Sequence, residues 1–134
     1  MNAFAWPVRV YYEDTDAGGV VYYANYLRFL ERARTEWLRA LGFEQDALAR
    51  DAGVIFAVRR IEVDYLKPAR FNDALTIYAR IAERGRASLV FAQEIRRGDE
   101  VLVKGMVKVA CLEAANFRPA PIPAAILEVM PHAD

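Results

Sequence analysis

The fold is decided by one stretch, Tyr11-Tyr12-Glu13-Asp14-Thr15-Asp16-Ala17-Gly18-Gly19-Val20-Val21-Tyr22-Tyr23-Ala24-Asn25-Tyr26, which leads directly into a long helical pattern. Apolar and aromatic residues then recur every three or four positions, the spacing of a helix that lies against a core. These residues are Tyr23, Tyr26, Leu27, Leu30, Ala33, Trp37, Leu38 and Leu41. Just before the helix, Asp16 stands beside Gly18 and Gly19, which allow the backbone to approach a ligand closely. The arrangement suggests a small active site for a carbonyl substrate, with Asp16 as the candidate catalyst.

The rest of the chain reads mainly as strands. A first strand is expected at 8–13, and the long helix is expected to begin near Tyr23 and to close at Gly42. Further strands are expected at 54–66, around 75–81, at 88–95 and at 101–112, with short helices at 44–51 and 124–130. Turns at Gly85 and Gly98 make the later strands successive antiparallel hairpins. One long helix followed by hairpins indicates an α+β fold, a curled antiparallel sheet wrapped around a central helix.

Composition bounds the size and the assembly. With 134 residues, the chain is most simply one domain spanning residues 1–134. Its apolar fraction of 55% is high for that size. Because small domains often cover such surface with a copy of themselves, we expect a homo-oligomer, either a dimer or a tetramer.

Charge and cysteine usage narrow the partners and the compartment. The 18 basic residues balance 18 acidic ones without a basic tract, so a nucleic-acid or membrane-surface partner has little electrostatic support. The first residues lack the features of a secretory signal, and Lys104 and Lys108 interrupt the most apolar late segment, so no transmembrane segment is expected. A lone cysteine, Cys111, agrees with a reducing compartment. We therefore expect a cytoplasmic protein.

Few residues in the chain could carry catalysis. The single serine, Ser88, and the single histidine, His132, would have to meet a third group, which disfavours a Ser-His-Asp triad. Cys111 alternates with valines on one face of a strand, which favours a core residue over a nucleophile. Imidazole and thiolate ligands are almost absent, and no metal or organic cofactor is expected. A carboxylate-driven hydrolysis by Asp16 remains, although the spacing alone fits a turn-capping aspartate equally well.

A thioester would suit such a site, since its carbonyl is already activated and needs no metal. Asp16 would attack the carbonyl itself or act as a general base on water. Backbone N–H groups in the first turn of the helix would stabilise the oxyanion. A rival interpretation is that Asp14-Thr15-Asp16 resembles the first motif of the haloacid-dehalogenase phosphotransferases, with Asp14 and Asp16 acting beside Mg. That fold requires a parallel sheet with helices between its strands.

The stretch from Asp14 to Tyr26 is similar to the signature of the 4-hydroxybenzoyl-CoA thioesterase-type hotdog family. Two further stretches extend the likeness, Glu31-Arg32-Ala33-Arg34-Thr35-Glu36-Trp37-Leu38 and Ile61-Glu62-Val63-Asp64-Tyr65-Leu66-Lys67-Pro68-Ala69-Arg70. With them the chain most resembles the branch of acyl-CoA thioesterases associated with the bacterial Tol-Pal system. That branch usually has histidine at the position of Tyr23, whereas the hydroxybenzoyl-CoA enzymes have tyrosine.

The resemblance implies an acyl-CoA thioesterase with a hotdog fold and with sites at subunit boundaries. Asp16 would be its catalytic carboxylate, and Tyr23 is the matching position for the oxyanion donor. The residues predicted to bind substrate are Gly19, Val20, Tyr22, Asn25 and Tyr26 near the helix start, and Arg59, Arg84, Arg86 and Arg118, the last three for the phosphates of CoA. The departure at Tyr23 keeps a second function open. That function is a hotdog protein that binds acyl-CoA or an acyl carrier protein without turnover, as an adaptor in envelope lipid synthesis.

Overall fold

The computed structural model describes residues 3–133. In chain order its strands and α-helices are β1 (Phe4–Arg9), α1 (Tyr23–Ala40), α2 (Gln45–Ala47), β2 (Val54–Tyr65), β3 (Ala74–Arg84), β4 (Ser88–Arg97), β5 (Glu100–Glu113) and α3 (Ala124–Val129), and a π-helix, Leu48–Ala52, continues α2. The strands form one antiparallel sheet in the order β1-β3-β4-β5-β2. The predicted α+β fold is therefore confirmed. The phosphotransferase alternative, which needs parallel strands, is wrong for this chain.

The first strand lies earlier than the predicted 8–13, because β1 runs from Phe4 to Arg9. Pro7 is tolerated there since β1 is an edge of the sheet, where one N–H need not join the ladder. Residues Tyr12–Asp14 form a 3-10 turn instead of extending the strand. The carboxylate Oδ2 of Asp14 accepts the N–H of Tyr11 at 2.8 Å, which stabilises this turn. Asp14 thus turns the chain out of the sheet just before Asp16.

The long helix and the later strands follow the predicted periodicities. The buried face of α1 carries Tyr26, Phe29, Leu30, Ala33 and Trp37. Alternate residues of β3, namely Leu75, Ile77, Ala79 and Ile81, are also buried. Each large apolar side chain buried in this way contributes about 1.5–3 kcal/mol to folding. After α1, Gly42 has a φ of 101°, and this left-handed conformation closes the helix.

The core divides into two groups of side chains along α1. The first group, here called the loop end, lies around the start of the helix and comprises Val10, Val21, Tyr26, Phe29, Leu30, Ala33, Ala69, Leu75, Ile77, Ile95, Leu102 and Val103. The second group, here called the tail end, includes Trp37, Leu38, Val54, Leu89, Phe91, Val109, Ile122, Ile126 and Met130. At the tail end the rings of Trp37 and Phe91 meet edge to face at 6.0 Å. Both groups are apolar, and α1 contributes side chains to each.

β2 is the other edge of the sheet and is long for an edge strand. It pairs with β5 alone, so one side of its backbone has no neighbouring strand among residues 3–133. Apolar side chains on it are open to solvent, including Val58 at 52% and Ile61 at 37% exposed. Such edges are usually covered by another chain or guarded by charge. Across the described residues 3–133, the structure contains no helix of the length and apolar character needed to cross a bilayer.

Candidate active site

Asp16 lies in a tight hairpin between the 3-10 turn and α1. Thr15 and Val21 face each other as an antiparallel bridge, and the N–H of Asp16 donates to the carbonyl of Val20 at 2.9 Å. Gly19 closes the turn with a φ of 80°, a conformation that side chains other than that of glycine rarely adopt. The hairpin therefore holds Asp16 at its tip, directly before the helix.

The Asp16 side chain is exposed and is oriented by its own loop. Its Oδ1 accepts the N–H of Gly18 at 2.8 Å, while Oδ2 has no hydrogen-bond partner among residues 3–133. A Cβ on Gly18 would stand 3.2 Å from Oδ1, which makes glycine the best fit there. One oxygen is thus fixed and the other remains available to a substrate or to water.

The first turn of α1 offers free hydrogen-bond donors beside this loop. The N–H of Tyr22 donates to the carbonyl of Asp14 at 2.9 Å, and the N–H of Asn25 donates to Tyr22 at 2.8 Å. The N–H groups of Tyr23 and Ala24 have no acceptor among residues 3–133, as is usual for the first residues of a helix. Since the helix dipole adds partial positive charge there, this end of α1 favours an anion.

Asn25 and Tyr26, both predicted as substrate contacts, lie behind the loop. Asn25 is 8% exposed, and its Nδ2 donates to the carbonyl of Asp14 at 2.9 Å. The hydroxyl of Tyr26 accepts the N–H of Ala69 at 2.9 Å, and the carbonyl of Ala69 accepts the N–H of Val21 at the same distance. Burial raises the pKa of Tyr26, although the Ala69 hydrogen bond opposes the shift. Asn25 thus holds one arm of the Asp16 hairpin directly, and Tyr26 supports the other arm through the backbone of Ala69.

The other predicted residues of the loop lie on its surface. Tyr22 and Tyr23 are 47% and 59% exposed, and the Tyr23 ring lies edge-on to Tyr65 at 6.1 Å. Val20 is half-buried and forms an isolated bridge with Arg70. The sequence interpretation did not include Tyr65 in the site, although its alternating strand was recognised. Tyr22, Tyr23 and Tyr65 form an open aromatic surface at the start of α1.

The four predicted arginines do not lie near Asp16 in the same chain. Arg84 and Arg86 flank the turn between β3 and β4, and the carbonyl of Arg86 accepts the N–H of Ile122 at 2.9 Å. This contact joins the turn to the segment that begins at Arg118, so the three arginines occupy the tail end. α1 alone separates the two ends by about 27 Å, at 1.5 Å per residue. Arg59 stands apart from them, exposed at an irregular point in β2.

Arg84 differs from its neighbours because its guanidinium is already engaged. Its nitrogens lie 3.0 Å from the carbonyl of Leu127, 3.3 Å from that of Met130 and 2.9 Å from Nδ1 of His132. It therefore fastens the segment around α3 to the sheet. Arg86 and Arg118 are exposed and make no side-chain hydrogen bond within residues 3–133. Of the three, these two are the freer to meet a phosphate.

A sheet curled on one helix, with a carboxylate loop at the helix start, defines the hotdog class. The solved structure of a 4-hydroxybenzoyl CoA thioesterase mutant with 4-hydroxybenzoyl CoA shares this fold, with a TM-score of 0.91 and 21% identity over 98% of this chain and all of that one. The sequence pattern of the thioesterase superfamily matches residues 18–104, and the chain belongs to that family.

Two curated relatives are similar over almost their whole length. The acyl-CoA thioesterase YbgC of Haemophilus influenzae is 43% identical over 131 residues, which cover 98% of this chain and 96% of the relative. The acyl-CoA thioester hydrolase YbgC of Escherichia coli O6:H1 is 47% identical over 125 residues, which cover 92% of each. The predicted family resemblance is therefore confirmed.

Proposed function

We propose that this chain hydrolyses acyl-CoA thioesters to a free acid and CoA, with Asp16 as the catalytic carboxylate. The observation that carries the proposal is the pairing of an oriented, exposed carboxylate with free helix amides a few residues further along. The named activity of the YbgC relatives supports the same reaction. Their likeness also favours an enzyme over the non-catalytic binding protein that the sequence left open.

The chemistry follows from these two groups. The free oxygen of Asp16 attacks the thioester carbonyl or removes a proton from an attacking water, and the proposal keeps both routes open. The carbonyl oxygen gains negative charge as the new bond forms. In this proposal the N–H of Tyr23, with that of Ala24, donates to the oxyanion, and such a donor is typically worth about 3–4 kcal/mol in the transition state. Collapse of the adduct breaks the carbon–sulfur bond and releases CoA as the thiolate. When water is the attacking group, the acid forms in the same step; when Asp16 itself attacks, an acyl–Asp16 anhydride remains, and water then hydrolyses it to the free acid and the Asp16 carboxylate.

We also propose that the site is completed by a second copy of the chain. A two-fold axis that pairs β2 with its partner would place the Tyr65 end of one strand opposite the Val54 end of the other. Tyr65 lies beside Tyr23 at the loop end, and Val54 belongs to the tail end. Pairing of the free β2 edges would therefore set each Asp16 beside the partner's tail end, where exposed basic side chains can meet the phosphates of CoA. A tetramer would follow from a further contact between such dimers.

The first experiment replaces Asp16 by asparagine, which keeps the shape but removes the nucleophile and base. Hydrolysis of CoA esters, followed by thiol release, should fall by at least ~100-fold. Binding of a non-hydrolysable CoA analogue should change much less. Asp14→Asn is the matched control, and it should keep clearly more activity because the Asp14 carboxylate accepts the N–H of Tyr11, a bond that the asparagine oxygen can also accept. Near-normal turnover of Asp16→Asn, or reversible loss of activity with EDTA, would show the mechanism to be wrong.

The same variant tests the shared site. Subunits carrying Asp16→Asn are mixed with subunits carrying Arg86→Met and Arg118→Met, then unfolded and refolded together. A mixed dimer would hold one site with a native Asp16 and native arginines, so activity should rise above that of either variant alone. Size-exclusion with light scattering reports the assembly. An active, strictly monomeric protein would exclude the shared site and leave the role of Asp16 standing.

The compartment is part of the proposal. The single thiol, Cys111, is buried in the tail end, and burial raises its pKa. A buried free thiol suits a reducing compartment, and CoA esters are intracellular metabolites. We therefore propose a cytoplasmic enzyme.

A further inference from the structure

The tail end contains a cavity that the proposed reaction does not yet use. It has a volume of about 240 Å³ and lies between α1 and the strands β2, β4 and β5. Its apolar walls include Trp37, Phe56, Leu89, Phe91, Val109 and Met130. Pockets for drug-sized ligands usually have ~300–1,000 Å³, so this one suits a smaller molecule. The walls alone would accept any short apolar group.

One charged side chain, Arg34, stands out in this apolar lining. Its Nη1 donates to Oε1 of Gln93 at 2.9 Å, and Nε2 of Gln93 donates to the carbonyl of Leu30 at 3.0 Å. Gln93 is only 2% exposed. The guanidinium is thus held in place by a buried amide that is itself fixed to the backbone of α1.

Arg34 forms no ion pair with a carboxylate in the part of the chain that the structure describes. The ion pairs among residues 3–133 engage Arg39, Arg50, Arg60, Lys67, Arg96 and Arg97, but not Arg34. Burial lowers the pKa of Arg34 to about 10, and the charge of Glu31, one turn earlier, opposes the shift. Glu31 also lines the cavity but is exposed. A partly buried cation that no carboxylate contacts directly costs folding free energy, so an anion in the cavity would stabilise it.

The shape of the group indicates which anion. A guanidinium presents a planar fork that matches both oxygens of a carboxylate. A CoA phosphate is tied to a nucleotide too large for this space. We propose that the cavity binds the carboxylate of a short, mostly apolar molecule, with Arg34 as its counter-ion.

Two sources supply this chemistry. The first is an acyl group with a carboxylate at its far end, bound as part of a CoA ester. This source rests on the proposed function, because Arg34 lies about 17 Å along α1 from Tyr23 and would meet the reacting ester only in the partner's site. The second source is a free carboxylic acid of the kind that thioester hydrolysis releases, which needs no second copy.

The first arm of the test compares glutaryl-CoA with 5-methylhexanoyl-CoA, in which a branched apolar end replaces the carboxylate. Wild-type protein should prefer glutaryl-CoA in kcat/KM, and Arg34→Met should shift the ratio of the two by at least ~10-fold toward the apolar ester. Arg50→Met is the matched control. It removes the same charge from a residue that pairs only with exposed Asp51 and does not line the cavity, so it should leave the ratio unchanged.

The second arm titrates hexanoate into the protein by calorimetry. Wild-type and Arg50→Met should bind it, and Arg34→Met should bind it at least ~10-fold more weakly. Arg34→Lys keeps the positive charge but lacks the planar guanidinium, so it should give intermediate values in either arm. If Arg34→Met does not fold, Arg34→Lys is used in its place.

A shift in the ester ratio identifies the acyl group as the source, and hexanoate binding identifies the free acid. If Arg34 variants change neither the ester ratio nor the affinity for hexanoate, the assignment is overturned. The same holds if they change only the oligomeric state, because a carboxylate of a partner subunit would then pair with the guanidinium. If wild-type protein hydrolyses no CoA ester, the proposed function fails, and the calorimetric arm still decides on the cavity.

Discussion

The loop end and the tail end of this molecule both pack on α1, but their side chains make different kinds of contact. At the loop end, buried polar side chains form hydrogen bonds with the backbone: Asn25 bonds to Asp14, and Tyr26 bonds to Ala69, and both contacts support the Asp16 hairpin. At the tail end, apolar side chains surround a space that they do not fill, and one guanidinium faces it. Reaction geometry needs fixed atoms, whereas substrate selection needs room. The contrast therefore separates residues that should govern turnover from residues that should govern which molecule binds.

The largest effect on this contrast is expected from Tyr26→Phe. Loss of the hydroxyl leaves the N–H of Ala69 without its acceptor, which should lower the free energy of unfolding by about 1–3 kcal/mol. A displaced hairpin would also misplace Asp16, and small misplacements cost up to ~100-fold in rate. We therefore expect kcat to fall more than KM rises, as steady-state kinetics and urea unfolding can measure.

Tyr78→Phe is the control for that variant. Tyr78 packs under the guanidinium of Arg96 at 4.7 Å, and its hydroxyl makes no hydrogen bond among residues 3–133. It should therefore change neither stability nor kcat appreciably. Equal kinetics for the two variants would mean that the loop end does not depend on its buried polar contacts, and the contrast would fail.

An intermediate effect is expected from Arg84→Met at the tail end. Its guanidinium holds the carbonyls of Leu127 and Met130, so its loss should lower the free energy of unfolding by about 1–2 kcal/mol. The KM for a CoA ester should change little, because these donors are already occupied. Arg86→Met should do the opposite, with stability kept and KM raised. If Arg84→Met instead raised KM and left stability unchanged, the predicted role of Arg84 as a phosphate ligand would be supported.

The smallest effect is electrostatic and belongs to the loop end. Burial alone would raise the pKa of Asp73, but the N–H of Arg70 and the Arg97 guanidinium outweigh it and lower the pKa below its ordinary 3.8. Because the folded pKa is the lower one, Asp73 adds stability above pH 3.8 and loses that contribution as the pH falls through the lowered pKa. The contribution of this partly exposed pair should stay below about 1 kcal/mol.

Urea unfolding near neutral pH and near pH 3 measures this contribution. Asp73→Asn should lose less stability on acidification than wild type. Glu128→Gln, an exposed change on α3, should match wild type at both pH values. A wild-type acid response in Asp73→Asn would contradict the assignment.

Periodicity predicted most of the fold because the signal is local. The stripe of α1 and the alternation of β3 depend on neighbours a few positions away, and both appear as expected. The predicted bounds of β1 were wrong because a proline usually argues against a strand, whereas Pro7 is tolerated here since β1 is an edge strand. Asp16 was found from the adjacent glycines, again a local feature. Its role as catalyst stays a prediction.

The sequence could not show where polar side chains find their partners. Tyr26 and Ala69 are 43 positions apart, and Arg84 meets Leu127 over the same separation. Nothing near Tyr26 distinguishes a tyrosine that supports a loop from one that contacts a ligand. Arg34 falls at helical spacing within the apolar stripe of α1, and only the folded chain shows that its guanidinium meets Gln93 and the cavity.

The free N–H of Tyr23 bears on how such enzymes diverge. The oxyanion donor proposed here belongs to the main chain, so among the natural substitutions only proline would delete it. The side chain at position 23 could therefore be tyrosine or histidine without a change in the proposed oxyanion donor. In the proposed dimer, selection on that exposed ring would act through the contacts that the ring makes, and the proposed catalytic step would not depend on it.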